Sequence, residues 1–145
     1  MGDYEKAMPY LEEFVNGSGK KREEDIFQLG VAQYKLKEYT KAIGTLKALG
    51  DQNTEMGMYA MFYMADSYLR INDKSAARNA FFKASGKKFD PAINEEALFN
   101  YAKLSVELGF DREAITTLQA IKPESKYYAE SQELISDVLI NTKDY

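Results

Sequence analysis

The 145-residue chain has no cysteine, no histidine and no tryptophan, and only three prolines. Each absence removes a class of chemistry. Without histidine there is no imidazole base for a hydrolase triad, and without cysteine there is no thiolate nucleophile and no disulfide. The zinc sites that draw on Cys or His ligands are excluded with them. Catalysis would have to run on carboxylates, lysines or tyrosines alone. No apolar run reaches the roughly 18 to 20 residues of a membrane span. The opening Met1-Gly2-Asp3-Tyr4-Glu5-Lys6-Ala7 lacks the basic and apolar regions of a secretory signal. An excess of positive charge is missing too: 19 Lys plus Arg stand against 23 Asp plus Glu, a net charge of -4, which opposes a polyanion. No nucleic-acid partner is expected, since the one basic run, Lys20-Lys21-Arg22, is followed at once by Glu23-Glu24-Asp25.

What is present is 45% apolar and 29% charged residues in a length of about one domain, the balance of a folded soluble protein. The strongest signal is internal repetition. One phrase recurs four times, ending on Ala7, Ala42, Ala77 and Ala114, with spacings of 35, 35 and 37 residues. Four and seven residues beyond each alanine the chain is again apolar or small: Leu11 and Phe14, Leu46 and Leu49, Phe81 and Ala84, Leu118 and Ile121. That spacing is one face of a helix. Twelve residues before three of the alanines stand Gly30, Ala65 and Ala102, small enough for two helix backbones to approach. Ile26 and Leu29, then Met61, Met64 and Tyr68, then Leu98 and Tyr101 make an apolar stripe around them. Each unit therefore reads as two helices joined by a short turn, at Lys37-Glu38, Asn72-Asp73 and Gly109-Phe110.

Breakers fall between the units. Asn16-Gly17-Ser18-Gly19 and Gly50-Asp51-Gln52-Asn53 interrupt the helical pattern, and Asp90-Pro91 predicts a helix start with Asp as N-cap. The expected organisation is a single domain over 1–145: a second helix at 3–15, units at 23–50, 54–86 and 91–122, and a first helix at 125–142, about eight helices in all. Both flanks read as cut mid-unit, the pattern expected of a fragment from a longer array, with capping helices as the alternative.

This arrangement resembles the tetratricopeptide repeat, whose small, apolar and Ala positions match Leu29, Gly30 and Ala42 in the best copy. The resemblance covers residues 3 to 145. Its early aromatic is replaced by Ile26, Met61 and Leu98, and its closing proline is absent from three copies and shifted to Pro123 in the fourth. It implies an all-α fold, a right-handed superhelical stack of antiparallel helix pairs whose first helices line a concave surface. The groove positions it implies are Phe27, Val31 and Tyr34; Phe62, Asp66 and Leu69; Phe99, Lys103 and Val106; and Glu133, Asp137 and Ile140. Three Phe then share one place in consecutive units. Such a ladder suits an extended peptide or an inserted helix, although rings at this spacing also serve as core. The family's carboxylate clamp is not expected, because its Lys and Asn positions hold Phe27 and Val31. Arg70 and Lys103 remain as anchors for an acidic group.

Other motifs fail on inspection. Gly17-Ser18-Gly19-Lys20 lacks the earlier glycine and the following Ser or Thr of a phosphate loop. Asp51, Asn53 and Glu55 begin like a calcium loop, but Met56 and Phe62 replace its Gly and Glu. The pairs Glu12-Glu13, Glu23-Glu24 and Glu95-Glu96 point about 100° apart on a helix and cannot converge as acid and base. Asn16-Gly17-Ser18 is a glycosylation triplet only in a secretory context. The expected function is a non-catalytic protein-interaction module with no cofactor and no metal, binding a peptide or helix of a partner. The alternative is a structural spacer or a self-association segment pairing through terminal helices. A weak similarity of the Tyr-rich units to bacterial envelope proteins, such as the TolA-binding and outer-membrane assembly lipoproteins, tilts localisation toward the periplasm or cell envelope, with cytoplasm as the alternative.

Overall fold

A computed structural model describes residues 22–143. Among the described residues there are seven α-helices and no strand: α1 (Glu23–Lys35), α2 (Tyr39–Gly50), α3 (Glu55–Arg70), α4 (Lys74–Gly86), α5 (Pro91–Glu107), α6 (Asp111–Gln119) and α7 (Tyr128–Lys143). The helix expected at 3–15, with Ala7, Leu11 and Phe14, lies outside the described residues.

Helix starts follow local chemistry. Thr54 accepts from the Gly57 N–H at 3.0 Å, Asp73 from Ala76 at 3.2 Å, and Asp90 from Ala92 at 3.1 Å, with Pro91 at the first helical position. The three first-helix ends are built alike. Residues 37, 72 and 109 adopt positive φ, of 64, 65 and 84°. The next residue donates back five positions, Glu38 to Gln33, Asp73 to Tyr68 and Phe110 to Ser105, each at 2.8 Å. The left-handed residue itself donates three positions back, Lys37 to Tyr34, Asn72 to Leu69 and Gly109 to Val106, and this double closure satisfies the last carbonyls and reverses the chain in two residues. Gly109 suits the left-handed position and Asn72 is tolerated there, whereas Lys37 occupies it against the usual steric preference. The apolar spacing continues to Ile121, but the helix stops at Gln119 and the chain crosses to α7 in a string of turns that contains Pro123.

Packing explains the period. Each helix packs on its sequence neighbours, and α1 packs directly on α3 and α5 on α7, whereas α3 and α5 are joined mainly through α4. Ala42, Ala65, Ala77, Ala102 and Ala114 are all 0% exposed, and Leu46, Leu49, Phe81, Ala84, Leu118 and Ile121 are buried with them. A continuous core runs from Leu46 and Leu49 through Met61, Met64 and Phe81 to Tyr101 and Leu104, so every hairpin shares its apolar face with the next. At Gly30 the approach of α1 to α2 is close enough that a Cβ there would stand 2.3 Å from Leu46 Cδ2. Beside it, Thr45 Oγ1 donates to Gln33 Oε1 at 2.6 Å. Buried Asn94 donates to the carbonyls of Ala84 at 3.0 Å and Lys87 at 2.7 Å, occupying acceptors at the end of α4 and tying it to α5.

Candidate partner-binding surface

The groove residues fall into two unlike halves. In the first, α1 and α3 bring Phe27 and Tyr34 against Tyr63, edge to face, with centroids 6.3 and 4.9 Å apart. Tyr39 closes on Tyr34 at 5.7 Å. The Tyr34 hydroxyl donates to Asp66, which also receives Arg70 Nε at 3.3 Å. Burial and then the hydrogen bond to Asp66 push the Tyr34 phenol well above its ordinary value, so it keeps its proton into the alkaline range. Phe27, Val31, Tyr34, Phe62, Asp66 and Leu69 are half-buried, and Arg70 is exposed. The result is an aromatic shelf rimmed by a hydroxyl, a carboxylate and a guanidinium.

The second half is filled. Phe99 is 3% exposed, stacked under Tyr127 at 4.7 Å and 23°. It joins a small core with Ala102, Leu118 and Ile121, against which Val106 packs. The three Phe are thus not an equivalent ladder: Phe27 meets Tyr63 on the neighbouring first helix, Phe62 meets Phe81 of its own hairpin at 5.7 Å, and Phe99 is core. The two anchor cations are also engaged. Arg70 is paired with Asp66 as above, and Lys103 reaches Glu130 at 3.8 Å while lying 5.5 Å over the Phe99 ring. Glu133, Asp137 and Ile140 on α7 are exposed.

Residues that the sequence reading passed over complete the surface. Tyr63, one position from the groove stripe, receives both Phe27 and Tyr34; its i, i+4 relation to Tyr59 was the available signal. Tyr59 donates to Asp90 at 2.8 Å and bridges α3 to the start of α5, a bond that raises the phenol and lowers the carboxyl from their usual values. Tyr127 covers Phe99 and donates to Glu96 at 3.3 Å. Among the described residues no group of His, Cys, Asp or Glu side chains could hold a metal, and no helix is long and apolar enough to cross a membrane.

Helix hairpins stacked with a buried alanine in every second helix and aromatic positions along the first helices define a tetratricopeptide-type repeat protein. The model of one such family, described as anaphase-promoting complex, cyclosome, subunit 3, matches residues 1–84, more than half of the chain, and the chain belongs to that family. No curated protein and no solved structure gives a match.

Proposed function

We propose that the chain is a non-catalytic recognition module that holds a peptide or helix of a partner protein on its concave surface, with no cofactor and no nucleic-acid ligand. Its repeats run over 23–50, 54–86 and 91–122, with partial units at 3–15 and 125–142. The observation that carries this reading is the half-buried shelf of Phe27, Val31, Tyr34, Phe62 and Leu69, apolar area that the core does not consume, beside the polar set Tyr34, Asp66 and Arg70. Apolar pockets supply affinity and a fixed hydrogen-bond rim supplies direction. Phe99, Lys103 and Val106 act here as the support of the second half, with Lys103 reachable once Glu130 is displaced. The family name, that of a subunit of a complex, fits a chain that works by holding other proteins.

The test places a photo-crosslinking residue at Val31 and captures partners from lysate, in the wild-type background and with Phe27→Ala and Phe62→Ala. The expected result is one crosslinked species that both substitutions remove while helicity persists. Crosslinking unchanged by either substitution refutes the groove reading. Self-association is the second reading, favoured by Ile140, which stands 60% exposed on α7. It requires molar mass in light scattering to rise with concentration and Ile140→Ser to abolish the rise.

A further inference from the structure

The seam between α4 and α5 holds a cation with no counter-ion among the described residues. Lys74, Arg78 and Phe82 lie on one stripe of α4 at i, i+4 spacing. Lys74 holds Glu107 of α5 at 3.2 Å, so the acid of this seam is taken. Arg78 Nε donates to the Ser105 hydroxyl at 2.7 Å and Nη2 to the Tyr101 hydroxyl at 3.1 Å. Ser105 commits its own proton to the Tyr101 carbonyl at 2.7 Å, which fixes its lone pairs toward the guanidinium. The guanidinium carbon lies 3.9 Å from the centre of the Phe110 ring and 4.7 Å from that of Tyr101. No carboxylate of the described residues lies within 4.0 Å of it.

A guanidinium has five N–H donors, and two are used here. Those left on Nη1 and Nη2 form the end-on fork that matches a carboxylate in bidentate geometry. The fork is already held in place, so little rotamer freedom is lost on pairing, and an Arg lying on aromatic rings is weakly hydrated. On either side stand apolar rings open to solvent: Phe82 is 55% exposed, 4.9 Å from Tyr101, and Phe110 is 42% exposed. We propose that this seam is a second docking site, separate from the concave shelf, which takes a carboxylate side chain of an acidic and apolar peptide segment of a partner protein. The Glu or Asp seats on the Arg78 fork and an adjacent apolar or aromatic side chain lies on Phe82 or Phe110.

The experiment selects a displayed random dodecapeptide library on the full chain and measures the best synthetic peptide by fluorescence anisotropy. The expected consensus is an acidic residue beside an apolar or aromatic one. Affinity should fall at least about ten-fold, the equivalent of one lost charge-assisted contact, in Arg78→Gln and equally when the peptide's acid becomes its amide. Phe82→Ser gives a second, smaller loss, at a position too exposed for the core to depend on it, so the outcome stands even where Arg78→Gln loosens the hairpin. Amide chemical-shift changes on peptide addition should centre on 78, 82 and 110 rather than on 27, 34 and 62. A selection without acidic consensus, shifts confined to the concave shelf, or equal affinity for wild type and both variants overturns the proposal and leaves Arg78 a tie between two helices.

Discussion

Replacing two glycines by alanine should move stability in opposite directions, and the contrast isolates the physics of the stack. Gly44 lies inside α2 with nothing within 4 Å of where a Cβ would stand. Alanine there gains helix propensity alone, a stabilisation of about 1 kcal/mol. Gly30 in α1 gains the same propensity, but its Cβ would stand 2.3 and 2.4 Å from Leu46 Cδ2 and Cγ. Carbon atoms rest at ~3.5–4.0 Å, so the overlap exceeds about 1 Å. Leu46 is 0% exposed and can yield only into space the core already fills, so α1 must back away from α2. Overpacking of this size costs about 3 kcal/mol, leaving a net loss of roughly 2. Urea unfolding followed by far-ultraviolet circular dichroism measures both, and the two variants should differ by about 3 kcal/mol, the overpacking contribution itself. In a Leu46→Ala background the room is restored and Gly30→Ala should turn neutral or stabilising, a coupling read from the double-mutant cycle. Equal stabilisation by Gly30→Ala and Gly44→Ala would refute the close approach of the first hairpin and with it the role assigned to the small residues.

Gly57→Ala should be more damaging than Gly30→Ala, because the new Cβ would stand 2.1 Å from the Gln52 carbonyl oxygen, a backbone atom that no side-chain rotation moves; a loss of ~3 kcal/mol or more in the same assay is the expected result. Lys37→Gly should stabilise by about 1 kcal/mol, since φ of 64° burdens a side chain and suits glycine, and a loss of stability would show that Lys37 makes contacts that outweigh the strain. Tyr34, Tyr59 and Tyr127 are all raised above their ordinary phenol range in the folded state, the first and third by burial foremost and Tyr59 by its bond to Asp90 foremost. Below pH ~10 both folded and unfolded phenols keep their protons; above it only the unfolded chain releases them, so stability must fall as pH rises past that point. Tyr34→Phe should flatten the alkaline decline, and an unchanged slope from pH ~9 to ~11 would dispose of the Tyr34 assignment.

The repeat was legible because stacking imposes the same demand on every unit. Ala42, Ala77 and Ala114 each sit where a second helix crosses its neighbours, and a larger side chain at any of them would part the layers, so the period is written in the residues that cannot vary in size. Turns were legible for a related reason, since two residues with one in the left-handed region suffice to reverse the chain at 37, 72 and 109. Helix α6 ends at Gln119 although the apolar spacing continues to Ile121, which is buried all the same; apolar spacing carries no information about where the backbone leaves the helix.

The surface was less legible, and Phe99 shows why. Phe27, Phe62 and Phe99 occupy one register, yet what each ring does depends on the residue that arrives opposite it from another element. Tyr63 comes to Phe27 from the adjoining first helix, and Phe81 comes to Phe62 from within its own hairpin. Tyr127 comes to Phe99 from the irregular stretch after Pro123, which is longer than the links 51–54 and 87–90 between the earlier described units. Periodicity states that a ring faces a given side, but only the partner decides whether that side is open. The same logic hid Arg78. Second helices read as packing elements, so a base among their alanines passes for solvated charge until the fold supplies Ser105, Tyr101 and Phe110 around it. In a repeat array, therefore, core positions are legible copy by copy, while the surroundings of a surface position are set where copies differ. The places to probe first are those where two units put unlike residues in equivalent positions.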